Sequence, residues 1–142
     1  MSGQDLETVR ALSRAFNQRL SGWIEFYDPE AELHVPPGWL EDAVYSGHRG
    51  VEEVAALWTE SVDEYRWDIE QLIDAGDCVV GLFRFSSRMR NDGVWLAPPL
   101  GAVFYFRDAK VAKILTFFSW AEALTAAGVE QESAGTPEAL GP

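Results

Sequence analysis

The chain has 142 residues, a length at which one core buries about two thirds of the unfolded surface without help from disulfides or metals. A formal net charge of -12 repels phosphate backbones and anionic membrane surfaces, so neither nucleic acid nor membrane is expected as a partner. Cys78 is the only cysteine and His34 and His48 are the only histidines, which excludes an internal disulfide and a histidine-rich metal site.

From Asp5 to Leu20, the apolar residues Leu6, Val9, Leu12, Phe16 and Leu20 recur at spacings of three and four, which predicts an amphipathic helix. Trp23 to Tyr27 reads as a second, short helix broken by Asp28-Pro29. Ala31 to Val35 alternates as a strand, and Pro36-Pro37-Gly38 turns it into a loop carrying Trp39, Leu40 and Tyr45. From Gly50 to Tyr65 a stripe of Val51, Val54, Leu57, Trp58, Val62 and Tyr65 predicts a second long helix.

The period changes to two at Arg66. Strands follow over Arg66 to Ile73 and Cys78 to Arg90, and Asn91-Asp92-Gly93 is a strong hairpin signal. A strand from Val94 to Arg107 is interrupted at Pro98-Pro99, where a ladder donor is lost. Lys110 to Phe118 forms the last strand, and Ala121 to Ala127 a helix stopped by Gly128. Residues 130–142 lack an apolar period and read as a mobile acidic tail, which leaves residues 1–129 as one α+β domain with helices on a curved, mainly antiparallel sheet.

Met1 to Leu6 shows no basic-then-apolar leader pattern, and no apolar run approaches the roughly 20 residues that span a bilayer. Together with the single cysteine this fits a reducing cytoplasm. No glycine-rich phosphate loop or recognisable Ser/His/Asp set is present, and no cofactor is expected. Aromatics make up 13% of the chain, with six Trp and eight Phe, more than one core requires. A pocket or a subunit interface absorbs such a surplus.

The order of elements, with "RAFNQRL" (Arg14 to Leu20), "YDPEAELHVPPG" (Tyr27 to Gly38), "YSGHRGVEEV" (Tyr45 to Val54), "LIDAGDCVV" (Leu72 to Val80) and "WAEALTAAG" (Trp120 to Gly128), resembles the SnoaL-like branch of the nuclear transport factor 2-like superfamily. The resemblance implies a cone-shaped fold enclosing a pocket, and a homodimer. It also implies one of several roles: ketosteroid isomerase, polyketide cyclase, epoxide hydrolase, dehydratase or non-catalytic binding domain. Carried over by position, the isomerase tyrosine falls at Phe16, its general base at Val35 and its second carboxyl near Ala102. The epoxide hydrolase arginine falls near Arg84, with its carboxylates near Ser86 or Ser87 and at Thr116. The cyclase aspartate has no counterpart between Lys110 and Phe118. The family's usual carboxylates are therefore missing, and Thr116 can orient a water but not act as a base.

An imidazole can hold or release a proton near pH 7, and Glu32 shares the strand face of His34, so His34 is the candidate acid or base. A histidine merely bonded to its neighbours is the plainer alternative. Trp39, Tyr45 and Trp95, in or beside loops, are candidates to flatten against an apolar ligand, or else to seal the core. Phe16, Trp58, Phe104 and Thr116 complete the candidate ligand set, with packing as the commoner use of the aromatic members. The reading is a pocket protein for a small, largely apolar molecule, with acid/base catalysis of the isomerase, cyclase or hydrolase type centred on His34. Its rivals are an enzyme using Glu41 or Asp42, and a non-catalytic homodimeric assembly or binding domain.

Overall fold

In the computed structural model, which describes residues 2–40 and 42–129, the chain begins with helix α1 (Ser2–Asn17). Val9 and Leu12, three apart, are fully buried, and Leu6 and Phe16 pack against the same core. A 3-10 turn (Ser21–Phe26) leads into β1 (Tyr27–His34), followed by β2 (Val44–Ser46) and α2 (Gly47–Thr59). The rest is β3 (Val62–Asp74), β4 (Val79–Met89), β5 (Trp95–Leu96), β6 (Pro99–Arg107), β7 (Lys110–Phe117) and α3 (Trp120–Ala127). The predicted acidic tail and Glu41 lie outside the described residues.

The strands form one curled sheet in the order β2-β1-β7-β6-β4-β3, with β5 added to β4. Every pairing is antiparallel except β1 with β7. Along β4, Val79 to Phe83 are all buried because both faces of the sheet are covered. Phe83 and Phe85 face the core under α1 and α2, while Val80 and Leu82 face a second core under α3. Helix α3 can sit close to the sheet because Gly101 has no side chain: a Cβ there would lie 2.6 Å from the Cβ of Ala123. Ser119 caps α3 by accepting from the Glu122 amide at 3.3 Å, and Gly128 closes it at φ 77°.

Helix α1 (Ser2–Asn17) starts and ends earlier than expected, α2 starts at Gly47 rather than Gly50, and Val44–Ser46 forms a strand where a loop was expected. Two further differences bear on the site. Strand β1 starts at Tyr27 rather than Ala31, so the 3-10 turn ends one residue short of Tyr27. Helix α2 ends at Thr59, and Val62 and Tyr65 belong to β3. The cause is a bulge between Val62 and Glu64, where the register against β4 shifts. It leaves Asp63 and Glu64 both outward, so the inward Val62 and Tyr65 are three apart and imitate a helical stripe.

Candidate functional site

The concave side of the sheet, with α1, the 3-10 turn and α2 over it, forms a partly open cavity of about 70 Å³. Phe16 of α1 and Trp23 of the turn form one end of its wall, and α2 contributes Val51, Val54, Ala55 and Trp58. Tyr27 and Leu33 come from β1, and Trp67 and Phe85 from β3 and β4. Leu100, Ala102, Ile114 and Thr116 of β6 and β7 complete it. Among the described residues, no carboxylate, histidine, lysine, arginine or cysteine lies in this wall.

The interior is small because the chain's own aromatics fill it. Phe16 meets Trp23 edge-on at 5.4 Å between centroids and Trp67 at 5.8 Å, and Trp58 lies 5.5 Å from Phe85. About 70 Å³ is several times the space one water needs, and roughly half of an engineered apolar cavity that takes benzene.

Three side chains give the wall its polar atoms on the sheet side. Thr116 donates to the His34 carbonyl at 2.6 Å, so its proton is already used. Tyr27 is 4% exposed. Burial pushes its phenol above the ordinary tyrosine value, so it stays neutral and keeps its proton. Trp67 Nε1 is buried without a partner among the described residues.

Of the sequence candidates, Phe16, Trp58 and Thr116 line the cavity. Trp39 stands behind them, 4.7 Å from Trp58 and 6.4 Å from Phe118 between ring centroids. Tyr45 sits on β2 opposite Leu33, partly buried against the core. Phe104 is fully buried against Phe83 at 6.1 Å, outside the cavity lining. Trp95 is 55% exposed on β5, also outside it.

His34 does not line the cavity. Its neighbour Leu33 does, and strand alternation turns His34 to the other face of the sheet. There its Nε2 lies 3.2 Å from Glu32 Oε1, with the imidazole side chain 33% exposed. The expected Glu32–His34 pair thus forms, but away from the enclosed space. Asp42 is exposed and likewise absent from the wall. His48 is tied down, its Nε2 2.8 Å from the Tyr27 carbonyl.

Ala102 and Thr116, the positions onto which family carboxylates would carry over, both face the cavity, so the wall is apolar or hydroxylic where those relatives hold acids. Arg88 lies 3.4 Å from Glu64 and 3.9 Å from Asp63, and Arg90 lies 3.9 Å from Asp63, so the bulged acids engage both cations. Burial, followed by the charge of Asp77, pushes the Cys78 thiol up, away from thiolate chemistry.

Sequence reasoning missed Tyr27, Trp23, Trp67 and Phe85 as wall residues. The signal for Tyr27 was its place two residues before Pro29 in an extended stretch, which the aromatic-rich Trp23 to Tyr27 run disguised as helix. Among the described residues, no three His, Cys, Asp or Glu side chains gather as a metal site, and no helix is long and apolar enough to cross a membrane.

A curled, mostly antiparallel sheet with helices over an apolar cavity defines an α+β fold of the ketosteroid isomerase-like kind. A family model described as SnoaL-like domain matches residues 9–114, more than half of the chain, and the chain belongs to that family. No curated protein matches it significantly. Among solved structures, TerC co-crystallised with polyporic acid is 19% identical with a TM-score of 0.72, over 88% of this chain and 98% of that one. Bal32a from a soil-derived mobile gene cassette is 22% identical with a TM-score of 0.70, over 81% and 88%. A protein with a ketosteroid isomerase-like fold from Catenulispora acidiphila, in complex with trimethylamine, is 15% identical with a TM-score of 0.68, over 92% and 98%. Likeness at these identities establishes the fold.

Proposed function

We propose that this SnoaL-like protein binds a small, largely apolar organic molecule in the cavity between its helices and the concave side of its sheet. The observation that carries this reading is a cavity of about 70 Å³ whose wall, among the described residues, holds no charged side chain. A void of that kind costs the fold stability, because its lining lacks contacts on one side, and an apolar occupant restores them. Two proteins of the same fold were crystallised with small molecules, polyporic acid and trimethylamine, and this supports a small-molecule reading.

Acid/base catalysis by His34 draws no support from the geometry, since the imidazole lies on the outer sheet face. Within the wall, neither the hydroxyl of Thr116 nor the neutral phenol of Tyr27 takes up a proton near pH 7. Binding is the function the residues support best.

A thermal-shift series with small cyclic hydrocarbons, ketones and ethers tests this, using the wild type and Ala102→Leu, which fills the cavity. At one hundred times the dissociation constant, a ligand adds about 2.7 kcal/mol, several degrees of melting temperature in a domain of this size. The expected result is a shift in the wild type that Ala102→Leu removes. No shift with any compound at its solubility limit would overturn the reading.

A second reading, a homodimeric assembly domain, draws on a different observation. Val94, Trp95 and Leu96 expose large apolar side chains in a row, at 48%, 55% and 49%. Such a row suits burial against a second copy. Sedimentation of the wild type and Trp95→Glu decides it: a dimer that the charge dissolves supports an interface here, and a monomer in both ends that reading.

A further inference from the structure

Along β4, Phe83 and Phe85 pack into the core under α1 and α2, so strand alternation sends Leu82 and Arg84 to the outer face of the sheet. There they line a groove of about 250 Å³ with Glu70, Gln71 and Trp120. A register shift between Ile69 and Gln71 in β3 brings both Glu70 and Gln71 to its wall. The groove shares no lining residue with the cavity.

The Arg84 guanidinium is held from two sides. Its central carbon lies 4.8 Å from the Trp120 ring centroid, and Nη1 donates to the Ala97 carbonyl at 3.2 Å. Ala97 falls between the end of β5 and the start of β6, so its carbonyl takes a side-chain donor. Trp120 is itself fixed, its Nε1 donating to the Phe83 carbonyl at 2.9 Å.

The acid across the strand does not neutralise this cation. Asp68 is the β3 partner of Arg84 by register, yet its Oδ1 accepts from Arg66 Nε at 3.1 Å and from Arg66 Nη2 at 2.9 Å. Among the described residues Arg84 forms no ion pair, and its one hydrogen bond uses Nη1. The Nε–Nη2 edge, the side of a guanidinium that grips both oxygens of a carboxylate, is left without a protein acceptor. Arg66 uses that same edge on Asp68.

The surroundings limit the partner. A net charge of -12 repels a polyanion more strongly than a molecule with one acid group, and Glu70 on the groove wall acts in the same direction. We infer that this groove is a second binding site, for a small organic molecule with a single carboxylate, which the Nε–Nη2 edge of Arg84 grips. The inference is independent of the cavity and stands whether or not the cavity takes a ligand.

The test is a nitrogen-proton NMR titration at fixed ionic strength with benzoate and with benzamide, its neutral counterpart of similar shape, on wild type, Arg84→Lys and Glu70→Gln. Benzoate should shift the Arg84 Nε–H signal, assigned by its absence in Arg84→Lys, and should do so saturably, while benzamide leaves it in place. Arg84→Lys keeps the charge and loses the fork, so it should weaken benzoate about tenfold or more. Glu70→Gln removes the acid beside the fork and should tighten it. Equal responses to benzoate and benzamide, or an unchanged benzoate affinity in Arg84→Lys, would overturn the inference. So would no saturable response in the wild type, and a response that appears only in Glu70→Gln would assign the fork to Glu70.

Discussion

Asn17 holds the backbone of Trp67 from both sides, its Oδ1 accepting from the Trp67 amide at 2.7 Å and its Nδ2 donating to the Trp67 carbonyl at 2.9 Å. The pair copies the exchange a neighbouring strand would make, at a point where β3 is the last strand of the sheet. Ser13 adds a third bond to the same carbonyl at 2.7 Å. Helix α1 thus fixes the position of an indole that forms part of the cavity wall, and a polar side chain at a helix end shapes an apolar space.

Asn17→Ala removes both bonds and leaves the Trp67 amide without a partner. At about 1 kcal/mol for each bond, the loss is about 2 kcal/mol of stability by urea denaturation. The Trp67 amide should also exchange with solvent much faster than its strand neighbours. Asn17→Leu, which keeps bulk and removes both polar atoms, should cost at least as much.

His34→Gln separates the sequence reading from the structural one. The imidazole lies beside Glu32 on the outer face, and only its backbone carbonyl, held by Thr116, reaches the cavity side. Ligand-induced thermal shifts should therefore be the same in wild type and His34→Gln. A loss of ligand response in this variant, with its fold intact, would return His34 to the site.

Much of this architecture was legible because it rests on local rules. The spacing of Val9 and Leu12 follows the helical period, Gly93 takes φ 72° in the Asn91-Asp92-Gly93 turn, and Gly128 takes the left-handed cap of α3. The end of α2 was not, because one bulge at Asp63 and Glu64 gives a strand the spacing of a helix. The face of His34 was hidden as well. Alternation along β1 says that Leu33 and His34 face opposite ways, but the side of the sheet the helices cover is decided by residues far away in sequence. The cavity depends on how Phe16, Trp58, Trp67 and Phe85 pack together, which no local pattern encodes.

Gly101→Ala tests how tightly α3 is seated. The new Cβ would meet the Ala123 Cβ at 2.6 Å and the Ser119 carbonyl oxygen at 3.0 Å, so the helix must shift. Overpacking of this kind costs roughly 1–3 kcal/mol. Gly101→Ala with Ala123→Gly should recover part of the loss, because the nearer clash disappears and the Ser119 contact remains. A double-mutant cycle by chemical denaturation measures the recovered share.

The pair of Asp28 and Arg107 makes a prediction about acid. Arg107 Nε donates to Asp28 Oδ2 at 3.2 Å and the Glu30 amide donates to Oδ1 at 2.8 Å, tying the start of β1 to the end of β6. The Arg107 hydrogen bond first, and the Glu30 amide second, hold the Asp28 carboxyl below its ordinary value. A carboxyl lowered by folding contributes stability above its unfolded value of about 3.9, and loses it as pH falls through the lower folded value. Arg107→Gln removes the leading cause, so Asp28 should titrate closer to that ordinary value. The variant should be less stable than wild type at pH 7, and the two should converge as pH falls through the lowered folded value of Asp28 and the carboxyl is protonated in both. Thermal melts from pH 7 down to pH 2.5, with Asp28→Asn as a control whose difference from wild type also shrinks in acid, measure the effect. A gap between wild type and Arg107→Gln that stays constant across this range would mean that the guanidinium stabilises the strand ends by packing rather than by charge.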